Sequence, residues 1–495
     1  MRVFWSLAVF AFVVLAAAAV WMGGLNQDEG WYLYAANLVA EGRLPYRDFF
    51  FTQGPLLPIV YAAFTPVWQL GGLLGARIFT LLVGAAGIAV AMRLSHRLAP
   101  EGRKGHAALV TLLLLGCNLY HVYYLAVPKT YALASLLVMI GFWLLCKGSD
   151  EFYAKRHVAV AGAGFCLALA AGARISLAAL LATTALCLAF SRRWRTFVVF
   201  SAAGAAGIAL VYGPFVVDSK SLAGLIAAQQ YHAARGGADL VWTVGSLSRL
   251  VRWYLPVFVL LGLWAFVRPA MFAYRKDNPL PPVAHMLLFG FLAVFAVQML
   301  APYPYEDYQV PIMGLLAVVA SVGAVAVFDG HGLGRIVLLL ALGMSFACSF
   351  GSPLLEKWSI DGQDRFWAIK KPESELSKLR SVAAKIERLD PGGKTLLTQD
   401  LYLAIETGRK VPDGLEMGPF SILSDVEWRS LLSSAPCPVA ALSGYSFAVN
   451  PPVCDERPFE QQKEYWSLLK KDYELVTRVE AFGQNSTTLL LLRRK

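Results

Sequence analysis

The sequence predicts a polytopic α-helical membrane protein that ends in a small α/β domain, and three observations predict it. Of the 495 residues, 57% are hydrophobic and only 16% are charged, with a mean hydropathy of +0.54; soluble domains carry about 25% charged residues. The apolar residues gather into runs of roughly 20, the length that crosses a bilayer as a helix. After Ser352 the runs stop and the composition becomes that of a soluble domain.

The first run, Val3 to Leu25, offers small residues at Ala17 and Ala19 in the manner of a signal-peptide cleavage site. Its apolar core is longer than the roughly 7–15 residues of such a peptide, so an uncleaved helix is expected. Further spans are expected at Ala76–Leu94, Ala107–Leu125, Tyr131–Cys146, Val158–Ala173, Leu177–Phe190, Thr196–Val217, Val251–Val267, Val283–Ala301, Val310–Phe328 and Ile336–Phe350. At ~20 residues each that makes about eleven, although several are short and the two flanking Arg174 could form one hairpin.

The formal charge of +11 raises the question of nucleic acid, but the basic residues form no single patch. They fall between apolar runs, at Arg93, Arg97, Arg103 and Lys104, at Lys155 and Arg156, at Arg192, Arg193 and Arg195, and at Arg268, Arg275 and Lys276. Such clusters orient a membrane protein with its positive loops inside, and no nucleic-acid partner is expected. With a cytoplasmic N-terminus every cluster falls on the cytoplasmic side. The loops around Asp28, Lys129, His232 and Glu306 then fall outside, with everything after Phe350. The domains are thus 1–351, membrane-embedded with a first outer loop over 26–70, and 352–495, an outer α/β domain.

The first outer loop is built to hold a shape. Gly30 to Glu41 is amphipathic at helical spacing, with Trp31, Tyr34, Ala35 and Leu38 on one side. Gly42 is placed for a left-handed cap and Pro45 for a stop. Phe49, Phe50 and Phe51 suit the headgroup interface, where aromatic rings concentrate. Pro55 to Leu70 is apolar but broken by Pro55, Pro58 and Pro66, and reads as an interfacial or re-entrant piece. In the C-terminal domain, Glu373–Leu389 and Phe459–Lys471 read as helices; Lys394–Thr398, Val439–Leu442, Leu475–Val479 and Thr487–Leu492 read as strands. Cys437 and Cys454 lie in this domain and either form a disulfide in an oxidising compartment or remain two free thiols. No Cys/His cluster has zinc spacing, and no cofactor or metal is expected.

Adjacent carboxylates, Asp28 and Glu29, follow directly on the first apolar run. Acids at a membrane boundary mark functional sites; here they could also cap the helix beginning at Gly30, since negative charge suits its N-terminus. A carboxylate in this place can take a proton from a hydroxyl as that hydroxyl attacks a sugar carbon. A donor reaching it through the bilayer would be a sugar on a polyprenyl phosphate, whose leaving phosphate needs cations at headgroup level. Arg47, Arg77, Lys129 and Arg174 stand in outward positions; Arg77 and Arg174 could equally snorkel to the interface. Arg47 and Asp48 could pair with each other. Tyr32 and Asp48 in this loop, and Tyr305, Glu306, Asp307 and Tyr308 in PYPYEDYQVP, are candidates for binding substrate; Glu306 and Asp307 either bind acceptor or face solvent.

The run DEGWYLYAANLVAEGRLPYRDFFFTQGPL resembles the first outer loop of the bacterial GT-C type glycosyltransferases, among them the aminoarabinose and galacturonosyl transferases of lipopolysaccharide and the protein O-mannosyltransferases. GARIF (Arg77), LAAGARISL (Arg174), YPYEDYQVP and ETGRKVPDGLEMGPFS are similar to further parts of that family. The resemblance implies a GT-C fold and transfer from a polyprenyl-phosphate sugar to a lipid, glycan or protein acceptor, with inversion, at the periplasmic face of the inner membrane. It implies Asp28 as general base with Glu29 beside it, and Arg77 and Arg174 as contacts to the lipid phosphate. One departure stands out. Where many relatives have a second acid, this sequence has AVPKTYAL, with Lys129 or Thr130 at that place. The reading from another class is a transporter or flippase of a lipid-linked or anionic substrate, for which internal repeats of broken helices would be expected; none is evident. An inactive relative of the fold is a third reading. The outward placement of the C-terminal domain suggests a part in acceptor recognition.

Overall fold

The computed structural model describes residues 1–148, 155–233, 239–272, 282–301, 303–327, 331–350, 373–421, 423–443, 463–484 and 486–495. The membrane part begins with α1 (Arg2–Met22), α2 (Gln27–Ala40), α3 (Leu56–Ala62), α4 (Thr65–Leu98), α5 (Lys104–Gly116), α6 (Leu119–Ala126), α7 (Thr130–Gly148) and α8 (Arg156–Ala173). It continues through α9 (Ala178–Phe190), α10 (Trp194–Val217), α11 (Ser219–Ala233), α12 (Leu240–Trp253), α13 (Leu255–Phe272), α14 (Pro282–Met299), α15 (Val310–Val327) and α16 (His331–Phe350). Most of the apolar runs in the sequence fall on one of these helices, while Ala107–Leu125 and Val251–Val267 each fall on two in succession. Seven helices are long and apolar enough to cross a membrane, and two bent pairs, α5 with α6 at 71° and α12 with α13 at 83°, bring the number to nine. The expectation of about eleven is therefore not met among the described residues; α9 with the turn before it is too short to qualify. The helix α15 is the hub of the bundle, its span 94% buried inside the protein.

The proline-broken stretch folds as its sequence dictates. The helix α3 is seven residues long. Pro66 lies in the first turn of α4, which runs on for 34 residues with one kink at Gly72, where φ is +60°. A left-handed residue inside a helix orphans backbone amides beyond it. The Leu73 amide donates to the Glu406 carboxylate at 2.8 Å, and the same carboxylate accepts from Arg380 Nε at 3.3 Å.

The C-terminal domain contains α17 (Glu375–Leu389), α18 (Leu401–Thr407), α19 (Asp425–Ser434) and α20 (Lys463–Asp472) around β1 (Val439–Ser443), β2 (Tyr473–Phe482) and β3 (Thr487–Arg494). The strands form an antiparallel sheet in the order β1-β3-β2, with Ala441 opposite Leu491 and Arg478 opposite Leu490. The strand expected at Lys394–Thr398 is reduced to two isolated bridges, Thr395 to Lys410 and Leu397 to Ala440. The expected boundary at 351/352 and Cys454 lie outside the described residues; Cys437 is buried, its carbonyl accepting from the Tyr473 hydroxyl at 2.6 Å.

This domain sits directly on α2. A Cβ placed on Gly30 would meet the Tyr402 amide nitrogen at 2.4 Å, so only glycine admits α18 this close. The Tyr34 hydroxyl accepts from the Val411 amide at 3.0 Å. Gln27 Nε2 donates to Asp400 Oδ1 at 2.7 Å, and the Tyr402 hydroxyl donates to the same oxygen at 2.8 Å. The expectation of an amphipathic α2 is corrected here: ten of its 14 residues are buried, because the bundle covers one side and the domain the other.

Burial holds the Asp400 carboxyl above its usual range, partly offset by the hydrogen bonds from Gln27 and Tyr402. A carboxyl with a raised folded pKa binds its proton more tightly folded than unfolded, so stability is lost as pH rises from the ordinary aspartate range through the folded value. Asp400→Asn removes that loss while keeping the acceptor oxygen. The variant should melt above the parent at pH 8, with the gap closing towards pH 4; a thermal-melt series in detergent giving one constant difference across that range would contradict it.

Candidate active site

The site is built at the N-terminus of α2. Asn26, in extended conformation, accepts from the Asp28 amide at 3.0 Å, and Glu29 reaches back to the Asn26 amide at 2.9 Å. This capping box fixes the first turn, and a second interaction locks it. Glu29 is wholly buried, and Arg77 donates to it twice, Nε to Oε2 and Nη2 to Oε1, both at 2.6 Å. The other Arg77 donors go to the carbonyls of Val20, Gly23 and Gly24 at 3.2, 2.8 and 2.8 Å. A guanidinium has five N–H donors, and all five are used. Glu29 and Arg77 thus tie the end of α1 to the start of α2. The expectation of Glu29 as a catalytic partner and Arg77 as a phosphate contact is corrected on this ground: each is spent on the other and on the backbone, away from solvent.

Asp28, one residue earlier, points elsewhere. Its Oδ1 accepts from Trp31 Nε1 at 3.0 Å, and its Oδ2 meets Lys129 Nζ at 2.7 Å. Its side chain remains 26% exposed. That exposure leaves part of the carboxylate accessible from outside. Lys129 stands in the short break between α6 and α7, and its ammonium also reaches Asp307 Oδ2 at 3.1 Å. Asp307 takes a further hydrogen bond from the Tyr131 hydroxyl at 2.9 Å. One buried lysine therefore joins two carboxylates from loops 279 positions apart in sequence, Asp28 to Asp307.

Arg174 completes the cluster. It is an extended residue (φ −149°) between α8 and the 3-10 turn Ile175–Leu177. Its guanidinium lies over the Tyr308 ring at 4.4 Å and the Tyr131 ring at 5.2 Å. Among the described residues its side-chain N–H groups meet no acceptor. The first loop is drawn onto this turn at Gly54, where a Cβ would stand 2.1 Å from the Gly172 carbonyl oxygen. Tyr32 is buried and stacked on Trp31 at 3.8 Å. Burial first and Asp28 second hold its phenol above the usual range.

The remaining candidates fall elsewhere. Arg47 pairs with Asp48 at 3.7 Å on the surface, and Asp48 caps the turn by accepting from the Leu44 amide at 2.8 Å. Glu306 turns away from Asp307 to Ser246 at 2.8 Å and Arg249 at 3.1 Å. Tyr305 is partly exposed, its ring 5.4 Å from Trp242 and 5.6 Å from Tyr308. The phenylalanines expected at the lipid interface face inward instead: Phe51 is fully buried, 5.3 Å from Trp31, and Phe49 is 6.2 Å from Phe51. Gly42 takes the left-handed conformation expected of it, at φ +88°. Trp31 and Tyr131 were not singled out in the sequence as site residues, although Trp31 follows Asp28 by three positions, a spacing that places side chains together on a helix. Among the described residues no three His, Cys, Asp or Glu side chains gather as a metal site.

This bundle, with Asp28 in the first turn of α2 and a small α/β domain over that helix, has the fold of the GT-C membrane glycosyltransferases. The structure of ArnT from Cupriavidus metallidurans bound to undecaprenyl phosphate superposes with a TM-score of 0.63 at 15% identity, covering 99% of this chain and 97% of that one; its apo state gives 0.61. The Archaeoglobus fulgidus oligosaccharyltransferase tethered to an acceptor peptide superposes at 0.53 with 12% identity, covering 95% of this chain and 72% of that one. No protein-family model and no curated protein matches the sequence.

Removing one partner of a buried ion pair costs about 3–5 kcal/mol, a large share of a typical stability of about 5–15 kcal/mol. Arg77→Ala should therefore yield little monodisperse protein on size exclusion in detergent. A variant that purifies and melts like the parent would show that the pair does not hold the fold.

Proposed function

We propose that the protein is an integral membrane glycosyltransferase that moves a sugar from a polyprenyl-phosphate carrier to a hydroxyl of an envelope acceptor, at the outer face of the inner membrane. The observation that carries this reading is Arg174: a guanidinium over two tyrosine rings, its donors unmet among the described residues, joined through Tyr131, Asp307 and Lys129 to the partly exposed Asp28. A cation so placed is short of an anion, and a phosphate with three acceptor oxygens is the group that suits a guanidinium fork. The similarity in fold to a protein whose structure holds undecaprenyl phosphate supports a carrier of that kind. The positive clusters between the apolar runs support the sidedness.

In this mechanism the acceptor hydroxyl attacks the anomeric carbon from the face opposite the phosphate. Asp28 takes the hydroxyl proton through the exposed part of its carboxylate. The bond from the anomeric carbon to the phosphate oxygen breaks with its electron pair going to the phosphate, and configuration inverts. Arg174 stabilises the charge that develops there. Lys129, already shared between Asp28 and Asp307, adds a second cation to the leaving side while Asp307 and Tyr131 hold it in place. The two carboxylates need not act as a catalytic pair: Asp28 faces the opening and Asp307 serves the lysine. Glu29 and Arg77 are positioning residues, keeping the first turn of α2 rigid so that Asp28 is aimed. A monophosphate leaving group met by two side-chain cations makes a divalent metal less necessary.

Asp28→Asn keeps the shape and removes the base. Transfer in a membrane assay should fall by about 10²–10⁴-fold with an unchanged melting temperature; near-parental transfer would sink the assignment. The role of Arg174 is read separately. Arg174→Ala should weaken binding of undecaprenyl phosphate at least tenfold by microscale thermophoresis, and parental affinity in a folded variant would remove Arg174 from the phosphate site.

A further inference from the structure

We infer that the cleft between the first loop and the C-terminal domain binds the non-reacting sugars of the acceptor, and that the glycan it takes carries no phosphate. The inference rests on the glycosyl-transfer reading and names the acceptor class for that site. The cleft has a volume of about 720 Å³, within the range of roughly 300–1,000 Å³ found for small-molecule sites. The first loop supplies Asp48, Phe49 and Phe50 to its wall, and the domain supplies Asp413, Glu416 and Ser421.

Three features of the wall select a sugar. Phe50, half-buried, gives an apolar face on which the C–H side of a pyranose can lie, and it is held in place by Tyr231 at 5.9 Å, while the buried Phe49 beside it packs on Phe51 at 6.2 Å. Carboxylates accept hydroxyl hydrogens, and three of them line the cleft against one cation, Arg43. Arg43 is itself committed, donating to the Asp48 carbonyl at 2.7 Å and to Glu416 at 3.0 Å and lying 3.5 Å from Asp413. The third feature is Ser421. It is only 6% exposed, and its hydroxyl meets no partner among the described residues. Turned about one bond, it becomes a donor and acceptor on the cleft wall.

The charge on the wall decides what kind of glycan. Asp48 is paired with Arg47 and Glu416 with Arg43, so the exposed Asp413 leaves the wall with a negative balance; a phosphate or other anion is repelled, whereas hydroxyls and amines are accepted. The cleft also lies where an acceptor would need it. Phe420, the neighbour of Ser421, is 6.5 Å from the Trp31 ring, and Trp31 donates to Asp28. From the other wall, Phe49 leads through Phe51 to the same tryptophan. Both walls of the cleft thus pack, through Phe420 and Phe51, against the tryptophan that donates to Asp28.

The test uses the full-length protein in lipid nanodiscs without donor, with three probes followed by saturation-transfer NMR: maltotriose, the glucosamine trimer derived from chitosan, and glucose 6-phosphate. Both trimers should bind and the phosphorylated sugar should not. Phe50→Ala and Ser421→Tyr should each weaken both trimers at least tenfold. Asp413→Lys changes a side chain that is 93% exposed, so its fold is safe; it should weaken the glucosamine trimer several-fold more than maltotriose and admit glucose 6-phosphate. Displacement of the bound trimer by a glucosyl lipid in the bilayer or by soluble dextran distinguishes a lipid-borne from a polymeric acceptor, and either supports the cleft. The inference is overturned if neither trimer binds, if neither displaces, if the cleft variants bind as the parent does, or if glucose 6-phosphate binds as well as the trimers. Because donor is absent throughout, such a result leaves glycosyl transfer itself to the Asp28→Asn assay.

Discussion

The ion pair between Glu29 and Arg77 is the contact on which the rest of the site depends. Two charges with almost no access to water are stable only when geometry and hydrogen bonding are nearly complete. Here they are: two 2.6 Å bonds join the side chains, and three backbone carbonyls take the remaining donors. Those carbonyls belong to the end of the first helix and the two glycines after it, so the arginine of one helix closes the corner made by two others. Without that closure the acidic pair would be two mobile carboxylates on a loop. With it, one carboxylate becomes structure and the other becomes available.

The division of labour extends to the cations. Four were candidates, and the fold gives them four different fates: Arg77 is wholly consumed, Arg47 stays at the surface with Asp48, Lys129 bridges two acids, and Arg174 lies between tyrosine rings. The aromatic rings matter because they hold a positive charge through the ring quadrupole without consuming its hydrogen-bond donors. An arginine held by rings stays able to take an anion, whereas one held by a carboxylate does not.

Much of this was legible in the sequence, and the reasons for success and failure are physical. The apolar runs located the spans because a bilayer imposes its thickness on every helix alike. Gly42 and the prolines marked the turns of the first loop because their backbone preferences are local. The acidic pair stood out because charge is costly at that depth. The partition between Asp28 and Glu29 was not legible, since it depends on Arg77, 48 positions away, reaching one and not the other. Asp307 was balanced between solvent and substrate in the sequence, and its place beside Lys129 is set by the packing of α15 against α7. One expected span falls short because the chain extends at Arg174 and turns through Ile175–Leu177, which leaves α9 too short to cross a bilayer. The inward turn of Phe49 and Phe51 was hidden because composition cannot distinguish a lipid surface from a covering domain.

The contact between Glu406 and the kink of α4 has a consequence for the order in which the molecule can be assembled. The carboxylate and the amide it receives are 333 positions apart in sequence, and Gln27 and Asp400 are 373 apart. The helix that carries Arg77 therefore leaves the ribosome long before the group that satisfies its broken turn exists. Through most of synthesis the first loop lacks its cover, with an orphaned amide in α4 and the face of α2 around Gly30 uncovered. The contacts that close over α2 and the kink of α4 are complete only once the last quarter of the chain has been made. A nascent chain would thus hold its first helices for a long interval before the contacts that complete the first loop can form.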